Sequence, residues 1–190
     1  FSQWAAPIVV VRKPNGKIRV CADYSTGLNN ALEPNVHPLP LPDDIFAKLA
    51  GNQYFSVIDL SNAYHQIEVD EESGKLLTIN THRGLFKFNR LQFGVKSAPG
   101  EFQKIMDAMT AGLHNVCTYL DDITVASKTE DEHKTHLRAL FERLQDYGFV
   151  VRQEKCQLFL TQVKILGHII DVHGIRPNPD KVCLLYTSPS

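Results

Sequence analysis

The chain has 190 residues, 43% of them apolar and 22% charged, with a net charge of −1. These values fit one ordinary globular domain, or two small ones sharing a core, and exclude wholesale disorder, collagen-like sequence and coiled coil. Apolar runs such as Ile8-Val9-Val10-Val11 fall far short of a membrane span, and no signal peptide is visible. Cys21, Cys117, Cys156 and Cys183 lack paired spacing, which points to reduced thiols and an intracellular setting. The first residue is Phe1 rather than a methionine, inside what reads as continuing sequence, so a piece of a longer protein is expected.

In chain order, Pro7 to Val11 and Lys17 to Ala22 read as a hairpin around Pro14-Asn15-Gly16. Four prolines between residues 34 and 42 predict an extended connector. A short helix follows, with Ile45, Phe46 and Leu49 on one face and Gly51 at its end. Tyr54 to Leu60 reads as a strand, with Phe55, Val57 and Asp59 sharing a face. Ser97 can cap a helix that turns Phe102, Ile105, Met106 and Met109 inward. Val116 to Ala126 reads as two strands around Asp121-Asp122. Glu130 to Tyr147 is a helix striped by Leu137, Leu140, Phe141 and Leu144 and stopped by Gly148. Short extended segments come next, and Lys164 to Ile170, then Asp171 to Ile175, are expected to form one last hairpin with Gly174 near a turn.

From residue 54 the predicted order is strand, helix, strand, strand, helix, strand, the ferredoxin-like βαββαβ unit of an α+β fold. A right-handed crossover makes the first and second strands parallel, with the third between them. Asp59 then ends one strand beside the turn that carries Asp121 and Asp122. Three converging carboxylates repel unless a cation joins them. Hard divalent ions take such oxygen ligands, and a pair of them can drive in-line phosphoryl transfer. Basic residues gather elsewhere, at Arg12 to Arg19 and at Arg83 to Lys96, the second set interleaved with Phe86, Phe88 and Phe93. His133, His136 and Cys156 lack a fourth ligand for zinc and read as a helix surface with a nearby thiol.

Tyr119-Leu120-Asp121-Asp122 resembles the Y-x-D-D box of reverse transcriptases, and Phe55 to Ile67 resembles their first catalytic box as gypsy-like long-terminal-repeat retrotransposons write it. Leu91 to Pro99, Ile18 to Tyr24 and Ile165 to His168 match further blocks, in the family's order and spacing. The resemblance implies right-hand polymerase fingers (residues 1–35 and 68–96) and palm (36–67 and 97–176), with 177–182 opening a thumb connection and 183–190 unrelated. It implies an RNA-directed DNA polymerase of a Pol polyprotein, with two Mg²⁺ ions (Mn²⁺ as a substitute) on Asp59, Asp121, Asp122 and the Leu60 carbonyl. Lys13 and Arg19 would bind the triphosphate, Tyr64 would exclude a 2′-hydroxyl, and Phe93 and Gly94 would contact the nucleotide. Lys155 would protonate pyrophosphate, and Leu166, Gly167 and His168 would form the primer grip. The expected partners are deoxynucleoside triphosphates and a primed RNA or DNA template, with no membrane. Thumb, RNase H, integrase and protease regions are expected outside this chain, and a cytoplasmic virus-like particle is its expected location. Gln92, where the family has proline, and Gly100, where alanine is common, are expected to loosen their segment. Two other classes stay open: a decayed, inactive element and a nucleic-acid-binding module without chemistry.

Overall fold

A computed structural model describes residues 2–12, 16–33 and 37–180. Its strands are β1 (Ile8–Arg12), β2 (Ile18–Ala22), β3 (Tyr54–Asp59), β4 (Ile79–Thr81), β5 (Gly84–Phe86), β6 (Val116–Tyr119), β7 (Asp122–Ser127), β8 (Gln157–Leu160), β9 (Gln162–Ile165), β10 (His168–Asp171) and β11 (Gly174–Pro177). Its helices are α1 (Leu28–Ala31), α2 (Pro42–Leu49), α3 (Glu71–Leu76), α4 (Ala98–Thr110) and α5 (Glu130–Asp146). The chain divides into two compact units, residues 1–38 with 62–105, and residues 39–61 with 106–190. Among the described residues no helix is long and apolar enough to cross a membrane.

The second unit holds a four-stranded sheet in the order β6-β7-β3-β8. Strand β7 runs antiparallel to both β3 and β6, so β3 and β6 are parallel with β7 between them. That is the expected ferredoxin-like order. Helix α5 starts with a capping box, in which Thr129 and Glu132 satisfy each other's backbone amides. Its stripe of Leu137, Leu140 and Leu144 is buried, whereas Phe141, also expected inside, is 37% exposed. On the sheet's other side Ile45 and Leu49 of α2 join Phe55, Cys117, Ala126, Val163 and Ile170 in one core cluster. Helix α2 begins with Pro42, whose missing amide costs nothing in a first turn.

The expected last hairpin is instead a three-stranded sheet, β11-β10-β9. The run from Lys164 to Ile170 breaks at Leu166 and Gly167, both left-handed at φ +48° and +79°. Two consecutive positive φ values make the tight turn that reverses a strand pair.

In the first unit β1 and β2 pair antiparallel, with Val10 opposite Val20. The hairpin tip, Lys13, Pro14 and Asn15, lies outside the described residues, as do residues 34–36 of the connector and the tail from 181. The sequence reading did not anticipate α3. Asp70 caps it by accepting from the Ser73 amide at 2.8 Å. The antiparallel pair β4–β5 was also unforeseen. Phe102 of α4 is fully buried, as are its Met106 and Met109, while Ile105 is half-buried.

Candidate active site

Strand β3 is buried or half-buried throughout, with Ser56 its one polar residue before the end, and its last residue, Asp59, lies directly opposite Asp122, the first residue of β7. Tyr119 pairs with Asp122 across the β6–β7 hairpin, so Leu120 and Asp121 form a two-residue turn. Leu120 is left-handed at φ +55°. A leucine there is strained by about 1 kcal/mol or more, a form of strain that concentrates at functional turns. The three acids predicted to converge share this edge of the second unit.

The electrostatics of the edge are unfavourable as they stand. Asp59 Oδ1 is buried and has no hydrogen-bond partner among the described residues. Its Oδ2 is 3.8 Å from Lys155 Nζ, in a pair whose lysine is largely exposed. Asp122 has an exposed surface, yet its carboxyl is raised above the usual carboxylate range. Partial desolvation is the largest cause, the charges of Asp121 and Asp59 add to it, and Lys155 opposes them. Like charges facing each other across two strands destabilise a sheet. The segment after α5 pins the end of β3: the Arg152 amide donates to the Asp59 carbonyl at 2.8 Å and the Ser61 amide to that of Val150 at 2.9 Å. Leu60 is buried between them.

Among the described residues no three His, Cys, Asp or Glu side chains are arranged to hold a metal ion by themselves. The edge still fits a divalent cation, because it offers only hard oxygen donors and leaves one buried carboxylate oxygen partnerless. Mg²⁺ binds through one or two carboxylates and completes its shell with water and substrate phosphates, so it needs no full protein cage.

A cleft of about 340 Å³ opens beside Asp122, lined by Val57, Tyr119, Lys164, Leu166, Gly167 and Asn178 among others. The expected primer-grip residues Leu166 and Gly167 thus share a cleft with an acid of the edge. The His168 ring packs edge-on against Phe46 with centroids 4.9 Å apart.

A second cluster forms within the first unit. The Arg19 guanidinium lies 4.7 Å from the Phe93 ring centroid, a cation–π arrangement. Phe93 also meets Tyr64 edge-on at 4.6 Å, and Tyr64 in turn packs on Phe102 at 5.0 Å. Gly94 is left-handed at φ +89°, and a Cβ there would sit 3.5 Å from the Ala22 carbonyl. Asn29, absent from the predicted site, braces this loop by donating to the Gly94 carbonyl and accepting from the Lys96 amide. Gln92 does not loosen the segment, since it is buried and its amide donates to the Arg90 carbonyl at 3.0 Å. Gly100 is buried within α4. Lys13 lies outside the described residues.

The chain matches the reverse transcriptase (RNA-dependent DNA polymerase) family over residues 11–170. It belongs to that family. This reverse transcriptase chain is 53% identical to the uncharacterised protein K02A2.6 of Caenorhabditis elegans, over 95% of the chain and 14% of that protein. It is 37% identical to the retrovirus-related Pol polyprotein from transposon 297 of Drosophila melanogaster, over 95% of the chain and 18% of the relative. Relatives named as transposon polyproteins agree with the retrotransposon resemblance, and the chain spans less than a fifth of their length. Among solved structures, the foamy viral protease-reverse transcriptase dRH in complex with double-stranded DNA shares the fold at a TM-score of 0.88. The match covers 100% of this reverse transcriptase chain and 34% of the viral one, at 24% identity. Reverse transcriptases generally use divalent metal ions, in keeping with the oxygen-only edge.

One expectation is reversed. His133, read from sequence as a surface histidine, is fully buried, and so are Ser56 and Ser127, to which its ring nitrogens bond.

Proposed function

We infer that this chain supplies the fingers and palm of an RNA-directed DNA polymerase within the Pol polyprotein of a gypsy-like retrotransposon, adding deoxynucleotides to a primer 3′ end. Residues 1–35 and 68–96 serve as fingers, and residues 36–67 and 97–176 as palm. The observation that carries this reading is the cross-strand pair Asp59–Asp122 with its partnerless buried oxygen, in a chain of this family. Asp59 and Asp121 would hold two Mg²⁺ ions, with Asp122 a weaker participant and the Leu60 carbonyl a further ligand. When bound, such ions activate the attacking 3′-hydroxyl and neutralise charge on the leaving oxygen.

The chain's own residues do the rest. Lys155, whose Nζ lies 3.8 Å from Asp59 Oδ2, would give its proton to departing pyrophosphate. Arg19, with Lys13 near it in sequence, presents fixed positive charge to the triphosphate. Tyr64 presents its ring where a 2′-hydroxyl would sit, and the packing of Phe93 and Phe102 against it keeps it from yielding. Leu166, Gly167 and His168 support the primer end. A primed RNA or DNA template and deoxynucleoside triphosphates are the partners, and a cytoplasmic virus-like particle is the setting.

The test is primer extension on RNA and DNA templates by the chain joined to a family thumb. Synthesis on both templates that stops when divalent ions are chelated supports the reading. Duplex binding without synthesis under any divalent ion overturns it in favour of a binding module.

A further inference from the structure

The side chains of Ser56 (β3), Ser127 (β7) and His133 (α5) meet inside the second unit, all three fully buried. Ser56 Oγ lies 2.7 Å from His133 Nε2, and Ser127 Oγ lies 2.9 Å from His133 Nδ1 and 2.8 Å from Nδ1 of His136. Taken alone, these three bonds could run in either direction. One more contact decides it: the Phe159 amide donates to Ser56 Oγ at 3.1 Å. With a proton on His133 Nε2, Ser56 would accept twice, and its own buried hydroxyl proton would be left without an acceptor among the described residues. Ser56 therefore gives its proton to Nε2. His133 is neutral, protonated on Nδ1, and Ser127 passes its own proton on to His136. Burial, and after it the neighbouring His136, also holds the His133 imidazole below its ordinary range.

The same serine shapes strand β8. Phe55 pairs with Leu160 and Val57 with Gln157, so Leu158 and Phe159 together face Ser56 in a β-bulge. Phe159 is left-handed at φ +55°, which bulky side chains rarely adopt. Its amide is satisfied by the serine hydroxyl, and its ring meets His133 edge-on with centroids 5.1 Å apart. Loss of the bulge would slip β8 by one residue and reverse the faces of its side chains. Lys155, two residues before β8, would be carried away from Asp59.

We propose that His133 is a positioning residue: through Ser56 it holds the β8 bulge at Phe159 and thereby sets Lys155 against the carboxylate edge. Only the functional consequence rests on the polymerase reading. Histidine ¹⁵N NMR and amide hydrogen exchange on the full chain test the network without turnover. The expected wild-type signature is a neutral His133 ring with its proton on Nδ1. Ser56→Ala and His133→Leu should speed exchange of the Phe159 amide by about tenfold, the worth of one buried hydrogen bond. His133→Gln, whose amide can accept from Ser56 and donate to Ser127, should keep exchange slow. A wild-type proton on Nε2, or equal exchange in wild type, Ser56→Ala and His133→Leu, overturns the proposal.

In extension assays with a thumb attached, Ser56→Ala should lower kcat by about 10²-fold, the cost of a small misplacement, with KM for the nucleotide unchanged. Normal kcat in that variant overturns the positioning role and leaves the polymerase reading standing. A wild type that extends nothing counts against the polymerase reading alone, because the NMR and exchange results still decide the bulge.

Discussion

Asp122→Asn should stabilise the chain at neutral pH. The wild-type carboxylate faces Asp59 across the β3–β7 pair and follows Asp121 directly. Opposed side chains of this kind stand about 5 Å apart. At an effective dielectric constant of about 60, between surface and bulk water, two such charges repel by about 1 kcal/mol. Asp121 adds to this and Lys155 takes some back, so a net gain of about 1 kcal/mol is expected, or about 2–4 °C in Tm for a chain of this size. The sign follows from the raised folded-state pKa of Asp122. Near pH 4 and below, the wild-type carboxyl takes up its proton and resembles the amide, so the two chains converge. As pH rises through the raised pKa, the wild type pays for folding with a repelled charge and falls behind. Millimolar Mg²⁺ should lift the wild-type Tm and narrow the gap. Thermal melts of both chains across this pH range, with and without the ion, are the assay. A variant that melts at or below the wild type at pH 7 without divalent ions would refute the repulsion argument.

Tyr64→Ala should raise incorporation of ribonucleotides relative to deoxyribonucleotides, measured in single-nucleotide competition; unchanged discrimination would show that Tyr64 does not exclude the 2′-hydroxyl. Gly94→Ala should destabilise the chain by about 1–2 kcal/mol, because a side chain is strained at that left-handed φ. An unshifted denaturant midpoint would contradict it. Burial pushes the Cys117 thiol up to about 11. Cys117 should therefore resist iodoacetamide at pH 8 in the folded chain and react once urea unfolds it, read by peptide mass spectrometry. Prompt labelling of the native protein would show that the cysteine is not held in the core cluster.

Much of the carboxylate edge was legible because it depends on local periodicity and a handedness rule. The alternation of Phe55, Val57 and Asp59, the doublet at Asp121-Asp122 and the intervening helix were enough to bring the acids together. What stayed hidden depends on long-range packing. His133 stands four residues before Leu137, so the helical stripe of Leu137, Leu140 and Leu144 extends back to it. The spacing carried the signal, and the polarity of the residue masked it. The bulge at Phe159 has no local signature, since phenylalanine is a poor residue for a left-handed φ and only Ser56, a hundred residues earlier, makes it tenable. Similarly, Arg19, Tyr64 and Phe93 come from three distant segments, and only the folded first unit shows that they touch. At Leu166-Gly167 the apolar run looked continuous, and the glycine that breaks it was read as part of a strand.

The central claim is that the Asp59–Asp121–Asp122 edge performs metal-dependent nucleotide addition. Its most direct test is single-nucleotide incorporation by Asp59→Asn and Asp121→Asn, in the chain joined to a family thumb, with Mg²⁺ and a primed RNA template. Circular dichroism and thermal melts should first show both variants folded, since amides keep the shape and relieve the charge. The wild type should incorporate the nucleotide robustly, and each variant should give no detectable product while still binding the duplex. Near-wild-type incorporation by either variant would contradict the claim.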